Sequence, residues 1–99
     1  MRPERIFTVY ILASGPNGTL YTGMTNDLGR RIHEHREDLV EGFTKRYGVK
    51  RLVYFEQFPT AADAIHREKR IKKYPRAWKI NLILEQNPDW RDLADGLNG

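Results

Sequence analysis

Residues 6–24, IFTVYILASGPNGTLYTGM, decide the fold. Ile6 to Ala13 is a run of apolar, β-branched and aromatic side chains interrupted only by Thr8, the composition of a buried strand. The cluster Ser14-Gly15-Pro16-Asn17-Gly18 that follows is turn chemistry, and Thr19 to Met24 reads as the antiparallel return strand. A four-residue turn pairing Ala13 with Gly18 sets Tyr10 opposite Tyr21, with both rings on one face of the sheet. On that face Gly23 would leave room for a ligand's backbone or a phosphate.

Beyond this hairpin, Leu28, Ile32, His35 and Leu39 recur at helical spacing, with Asn26 or Asp27 as the N-cap and Gly42 as the stop. Residues 42–50 read as a loop carrying Lys45 and Arg46 between Phe43 and Tyr47, and Arg51 to Phe58 as a third strand. Thr60-Ala61-Ala62-Asp63 resembles a capping box that opens a second helix. That helix stops near Tyr74, because a proline disfavours helical geometry at the residue before it. Pro75 suits the first turn of a third helix running to about Glu85; Asn87-Pro88 breaks it, and Trp90 and Leu93 dock a last short turn. The order is ββαβαα, an α/β (α+β) arrangement of a small antiparallel sheet flanked by helices. One domain over residues 1–94 and a frayed tail over 95–99 are expected.

The chain has 99 residues, 39% hydrophobic and 30% charged, enough for one core and unlike a disordered or fibrous sequence. It has no cysteine, which excludes disulfides, thiolate zinc sites and redox thiols. Its longest apolar run is far short of the ~20 residues of a membrane span, and no cleavable signal pattern precedes it, so a cytoplasmic protein is expected. The net charge of +4 is uneven. Residues 59–84 hold seven Lys or Arg against two carboxylates, among them Arg67, Lys69, Arg70, Lys72 and Lys73, whereas 85–99 hold one against four. Such a band is either a solvated helix face or a phosphate-binding surface.

Three polar residues interrupt apolar stripes. Arg31 and His35 are four apart and share the face of Leu28, Ile32 and Leu39. Glu68 falls among Ala61, Ala64, Ile65 and Ile71 on the second helix, where a carboxylate must be paired, hydrogen-bonded or metal-bound. On the residues alone, a salt bridge to Arg31 and a functional role are both open. His33 and His35 point different ways on a helix, and His66 lies among cations, so no zinc site is expected.

Thr8-Val9-Tyr10, Tyr21-Thr22-Gly23 eleven residues on from tyrosine to tyrosine, Thr25 to Arg31, His35 and Glu68 together resemble the GIY-YIG nuclease domain, over essentially the whole chain. Within that family the chain resembles the small stand-alone bacterial proteins, whose ending is similar to Asn87 to Leu93. Thr-Val-Tyr stands for Gly-Ile-Tyr and Tyr-Thr-Gly for Tyr-Ile-Gly, departures at packing positions that keep both tyrosines and the glycine.

The resemblance implies a three-stranded antiparallel sheet and divalent-metal-dependent cleavage of DNA phosphodiesters, in repair or recombination. Glu68 would hold one Mg²⁺ or Mn²⁺, since magnesium is commonly bound by one or two carboxylates, water and substrate phosphate. Arg31 offers a permanently charged fork for phosphate oxygens. Tyr21 is the implied general base, although a free phenol ionises near ~10 and needs a neighbouring cation to serve at neutral pH. Tyr10 would position the water or a phosphate oxygen, and His35 would accept the proton or orient Tyr21. Asn87 matches an asparagine of the family's pattern; alone, it reads equally as an N-cap ahead of Pro88.

Lys45, Arg46, Lys50 and Arg51, with the second-helix cations Arg67, Lys69, Arg70, Lys72 and Lys73, form the expected nucleic-acid surface. DNA is the expected partner, with RNA left open, no membrane, and room for a protein that targets the enzyme. Two other readings compete: a non-catalytic nucleic-acid-binding module using the same surface, and an adaptor docking through the acidic tail around Trp90.

Overall fold

The computed structural model describes residues 6–96. Its elements are β1 (Phe7–Ala13), β2 (Leu20–Thr25), α1 (Leu28–Arg36), α2 (Phe43–Tyr47), β3 (Arg51–Phe58), α3 (Ala61–Lys73), α4 (Arg76–Gln86) and a closing 3₁₀ turn, Leu93–Gly96. β1 lies at the centre of an antiparallel sheet of order β2-β1-β3. It is apolar on both sides because both sides are covered. Val9, Ile11 and Ala13 pack with Val53, Ala64 of α3 and Ile83 of α4, whereas Tyr10 and Leu12 pack with Ile32 of α1, Val49 and Ala94.

The hairpin register differs from the sequence reading by two residues: Ala13 pairs with Leu20, not Gly18, and Tyr10 with Gly23, not Tyr21. The reason lies in the turn. Gly18 N–H donates to Gly15 O, with Asn17 in the left-handed region at φ 56°, so Gly15–Gly18 closes its own turn and leaves Ser14 to bond Thr19. An even shift keeps each residue on its face, so the two tyrosines still share one. Arg76 clamps this loop to α4 by donating to the carbonyls of Asn17 and Gly18.

α1 is capped by Asp27, whose side chain accepts from Arg30 N–H, and ends at Arg36, well before Gly42. Asp38 takes the left-handed position a glycine usually fills, with Asp38 N–H on His35 O and Leu39 N–H on Glu34 O, a Schellman stop made without glycine. Lys50 supports it through the Asp38 carboxylate at 3.1 Å and Arg36 O. Leu39 is consequently exposed and leaves the apolar stripe. Residues 42–50 are not simply a loop: Gly42 and Gly48, both at positive φ, bracket the helical turn α2.

β3 matches its expected span, with a bulge opposite Ile11 and Leu12 that turns Leu52 to one face and Tyr54 to the other. Its outer edge is closed by side chains. Gln86 pairs with both N–H and C=O of Phe55, Asn87 donates to Val53 O, and Asp92 accepts from Leu52 N–H. Asn87 is therefore the C-cap of α4, not an N-cap, and its amide also closes the turn to Arg91 through the carbonyl at 2.8 Å and the N–H at 3.0 Å. Trp90, at φ 56°, is buried in the α3/α4 core, and Arg51 donates to its carbonyl, so it offers no docking surface. A 3₁₀ turn spans Leu93–Gly96; residues 97–99 of the expected frayed tail lie outside the described residues.

Asn87→Ala is expected to cost about 2 kcal/mol or more in urea unfolding, because the buried Val53 carbonyl and the part-buried N–H and C=O of Arg91 lose their partner; Gln86→Ala, more exposed, should cost less than about 1 kcal/mol.

Candidate active site

The floor of the site is set by a close approach between strands. Gly23 faces Tyr10 across β1 and β2, and a Cβ at position 23 would stand 2.6 Å from the Tyr10 ring carbon Cζ and its hydroxyl. The space at Gly23 thus belongs to Tyr10, not to a ligand. Held there, Tyr10 is 2% exposed and points its hydroxyl at His35 Nε2, 3.3 Å away.

His35 is 3% exposed, and its other ring nitrogen lies 3.0 Å from Thr44 Oγ1. The imidazole is therefore fixed at both ends, from β1 and from α2. Thr44 is the residue the sequence reading missed, and its signal was modest: a small hydroxyl nine residues past His35 in a segment bracketed by glycines. Tyr21 completes the cluster, half-buried, with its ring 6.3 Å from that of Tyr10 and 5.8 Å from His35.

Burial dominates the titration of this group. Desolvation holds the Tyr10 phenol well above the usual range, and Tyr21 pushes it the same way; Arg31 opposes them, while Glu68 and Glu34 add to them. The Tyr10 hydroxyl thus senses charges from α1 and α3 at once, those of Arg31 and Glu68 among them. His35 is pushed down from its ordinary value, first by burial and then by Arg31, against Glu34, so its imidazole is neutral near pH 7.

Arg31 is partly exposed and lies 3.7 Å from Glu34 on its own helix. Glu68, whose side chain is 20% exposed, pairs with Lys72 at 3.5 Å. Among the described residues no ion pair joins Arg31 to Glu68, so the salt bridge open on the residues alone does not form. Glu68 thus lies on the inward face of α3 with Lys72 as its ion-pair partner, and no cluster of three His, Cys, Asp or Glu that could hold a metal exists among the described residues. That donor set suits a hydrated Mg²⁺ or Mn²⁺ completed by substrate phosphate and is too poor for zinc.

The remaining expected site residues divide. Asn87 is committed to the β3 edge at the Val53 carbonyl and to the Arg91 turn, which engage its side-chain amide in the fold. Arg67 turns inward to Glu56 at 3.3 Å and to the Tyr74 hydroxyl, in a network with Tyr54, and is not a free phosphate contact. Lys50 and Arg51 serve the α1 stop and the Trp90 carbonyl. Lys45 pairs with Glu41 and Lys72 with Glu68, whereas Lys69, Arg70 and Lys73 are exposed without an ion pair among the described residues. Arg46 sits over the Tyr47 ring. His33 and His66 are exposed and apart from the cluster.

Residues 6–81 match the GIY-YIG catalytic domain. A protein named UPF0213 protein from Staphylococcus aureus (strain Mu3) is 37% identical over 78 residues, covering 79% of this chain and 94% of its own. UPF0213 protein SA0446 of strain N315 matches equally. The solution NMR structure of the UPF0213 protein BH0048 from Bacillus halodurans superposes with a TM-score of 0.56 at 31% identity, covering 88% of this chain and 92% of that one.

Three measurements check the cluster. In an NMR titration His35 is expected to protonate below the free-imidazole value of about 6.5 and to move upward in Arg31→Met, since the Arg31 charge is one of the two causes of the depression. The unfolded chain then takes up that proton first, so wild-type stability should fall as pH drops from about 6.5 through the folded value, more steeply than in His35→Gln. Gly23→Ala should displace the Tyr10 ring and destabilise the fold by about 1–3 kcal/mol in denaturant unfolding.

Proposed function

The chain belongs to the GIY-YIG family of nucleases, and from that membership we propose that it is a divalent-metal-dependent endonuclease hydrolysing DNA phosphodiester bonds, in the setting of repair or recombination. The observation that carries the reading is the buried Tyr10–His35 contact at 3.3 Å, with Tyr21 against both rings and the charges of Arg31 and Glu68 acting on the same phenol. A fold that only bound nucleic acid would gain nothing from burying a neutral imidazole against a phenol beside an inward carboxylate.

Each residue takes the role its surroundings permit. Tyr10 keeps its proton, because burial disfavours the phenolate, and acts as a fixed hydrogen-bonding group for the water or a phosphate oxygen. Tyr21, half-buried, is the proposed general base: it takes the proton of the attacking water only after its own hydroxyl proton has passed to solvent, and neutral His35 holds the two phenols in register. Arg31 presents its outer N–H groups to the non-bridging oxygens, where negative charge grows. Glu68 would hold the metal ion, whose contribution when bound is to neutralise phosphate charge. Lys69, Arg70 and Lys73 supply the attraction for the DNA backbone. Among the described residues no helix is long and apolar enough to cross a membrane.

With Mg²⁺ or Mn²⁺ the purified protein is expected to nick plasmid or branched DNA, and to stop on chelation. Tyr21→Phe should lower the rate by about 10²–10⁴ and Arg31→Ala by about 10²–10³, with folding intact by circular dichroism. Equal cutting by wild type and Glu68→Gln would overturn the assignment; binding without cutting by the wild type would favour the non-catalytic module.

A further inference from the structure

α2 presents two rings to solvent that its packing does not use. Of its five residues only Thr44 is buried, against His35, while Phe43 is 45% and Tyr47 50% exposed, with ring centroids 4.9 Å apart. Phe43 also lies nearly parallel to Tyr21, at 6.4 Å and 27°, so a row of rings runs from the candidate general base out to the surface. Gly42 at φ 107° and Gly48 at φ 63° hold this turn in a conformation that other residues rarely adopt at its ends.

The rings line an open groove of about 620 Å³ with Glu41, Lys45 and Arg46. Its charge favours an anion: Lys45 Nζ pairs with the groove's one carboxylate, Glu41, at 3.1 Å, and the Arg46 guanidinium lies 5.5 Å over the Tyr47 ring. Flat aromatic faces, an adjacent uncompensated cation and continuity with a phosphate-cleaving site describe a ligand that is planar, aromatic and phosphate-linked. A peptide would satisfy the apolar faces but has no need of the cation or of the line to Tyr21.

We propose that Phe43 and Tyr47 form a stacking subsite for an unpaired base of the DNA strand whose phosphate is cut beside Tyr21, an inference that rests on the endonuclease reading. A base inside a duplex already has both faces stacked and must be displaced to offer one; a base in a single strand or at a branch offers it freely. The subsite therefore selects DNA with unpaired nucleotides, without reading sequence, because every base has a π-face.

Binding is measured by fluorescence anisotropy in the uncleaving Glu68→Gln background, with a single-stranded oligonucleotide and a blunt duplex of the same length. Removing both rings, in Phe43→Leu with Tyr47→Leu, is expected to weaken single-strand binding about tenfold and duplex binding less than about twofold. The aromatic-keeping pair Phe43→Tyr with Tyr47→Phe should retain the single-strand affinity, which separates loss of stacking from loss of fold. Equal loss on both substrates, or no loss on the single strand, overturns the stacking subsite and leaves the endonuclease reading standing. Failure of the parent to bind any DNA overturns both.

Discussion

The contact on which the site depends is that of the Tyr10 ring with the bare backbone of Gly23. Neighbouring strands normally present a Cβ to one another, and here the 2.6 Å separation from an imagined Cβ leaves no space for one. The ring consequently sits against β2 at Gly23, and its hydroxyl is carried to His35. Any residue but glycine would push that hydroxyl away, and the imidazole would lose the partner at its Nε2 end. A backbone requirement on one strand thus fixes the direction of a side chain on the next and, through it, the ring plane of a third on α1.

Covering the sheet on both faces is what allows the site to be dry at its base. The α3/α4 side carries the larger apolar cluster and the structural polar network of Tyr54, Glu56 and Arg67, in which burial raises the Tyr54 phenol to about 12. The α1 side carries the phenols and the imidazole. The bulge between Ile11 and Leu12 keeps these populations apart by sending Leu52 and Tyr54 to opposite faces despite their equal parity. Closing the β3 edge with the amides of Gln86 and Asn87 and the Asp92 carboxylate pairs Leu52 N–H, Val53 C=O and both backbone groups of Phe55.

How much of this was legible in the sequence varied with the range of the cause. β3 and the Thr60 cap of α3 were readable, because strand composition and capping chemistry are local. Tyr10 and Tyr21 were placed on one face correctly although the register was off by two, since an even slip preserves the face. The end of α1 was misread because Asp38 fills a glycine's position with help from Lys50, twelve residues away. Pattern and charge point to Asn87 and Arg67 as site residues; only the third dimension shows that their polar atoms engage Val53, Arg91 and Glu56. Glu68 was legible as an anomaly, a carboxylate on an apolar stripe, though not its actual neighbour Lys72.

α2 explains why a short turn was invisible as a functional element and yet matters to the site. Five residues cannot form a stable helix alone, so its order comes from tertiary contact, and the one buried side chain it supplies is Thr44 on His35. The same anchoring that orients the imidazole from behind fixes Phe43 and Tyr47 in front of it. Successive residues on a helix point in different directions, so Thr44 turns inward while Phe43 lies along Tyr21. Orientation of the phenol–imidazole pair and presentation of the outer rings are therefore one structural event, and a substitution that loosens Thr44 acts on both.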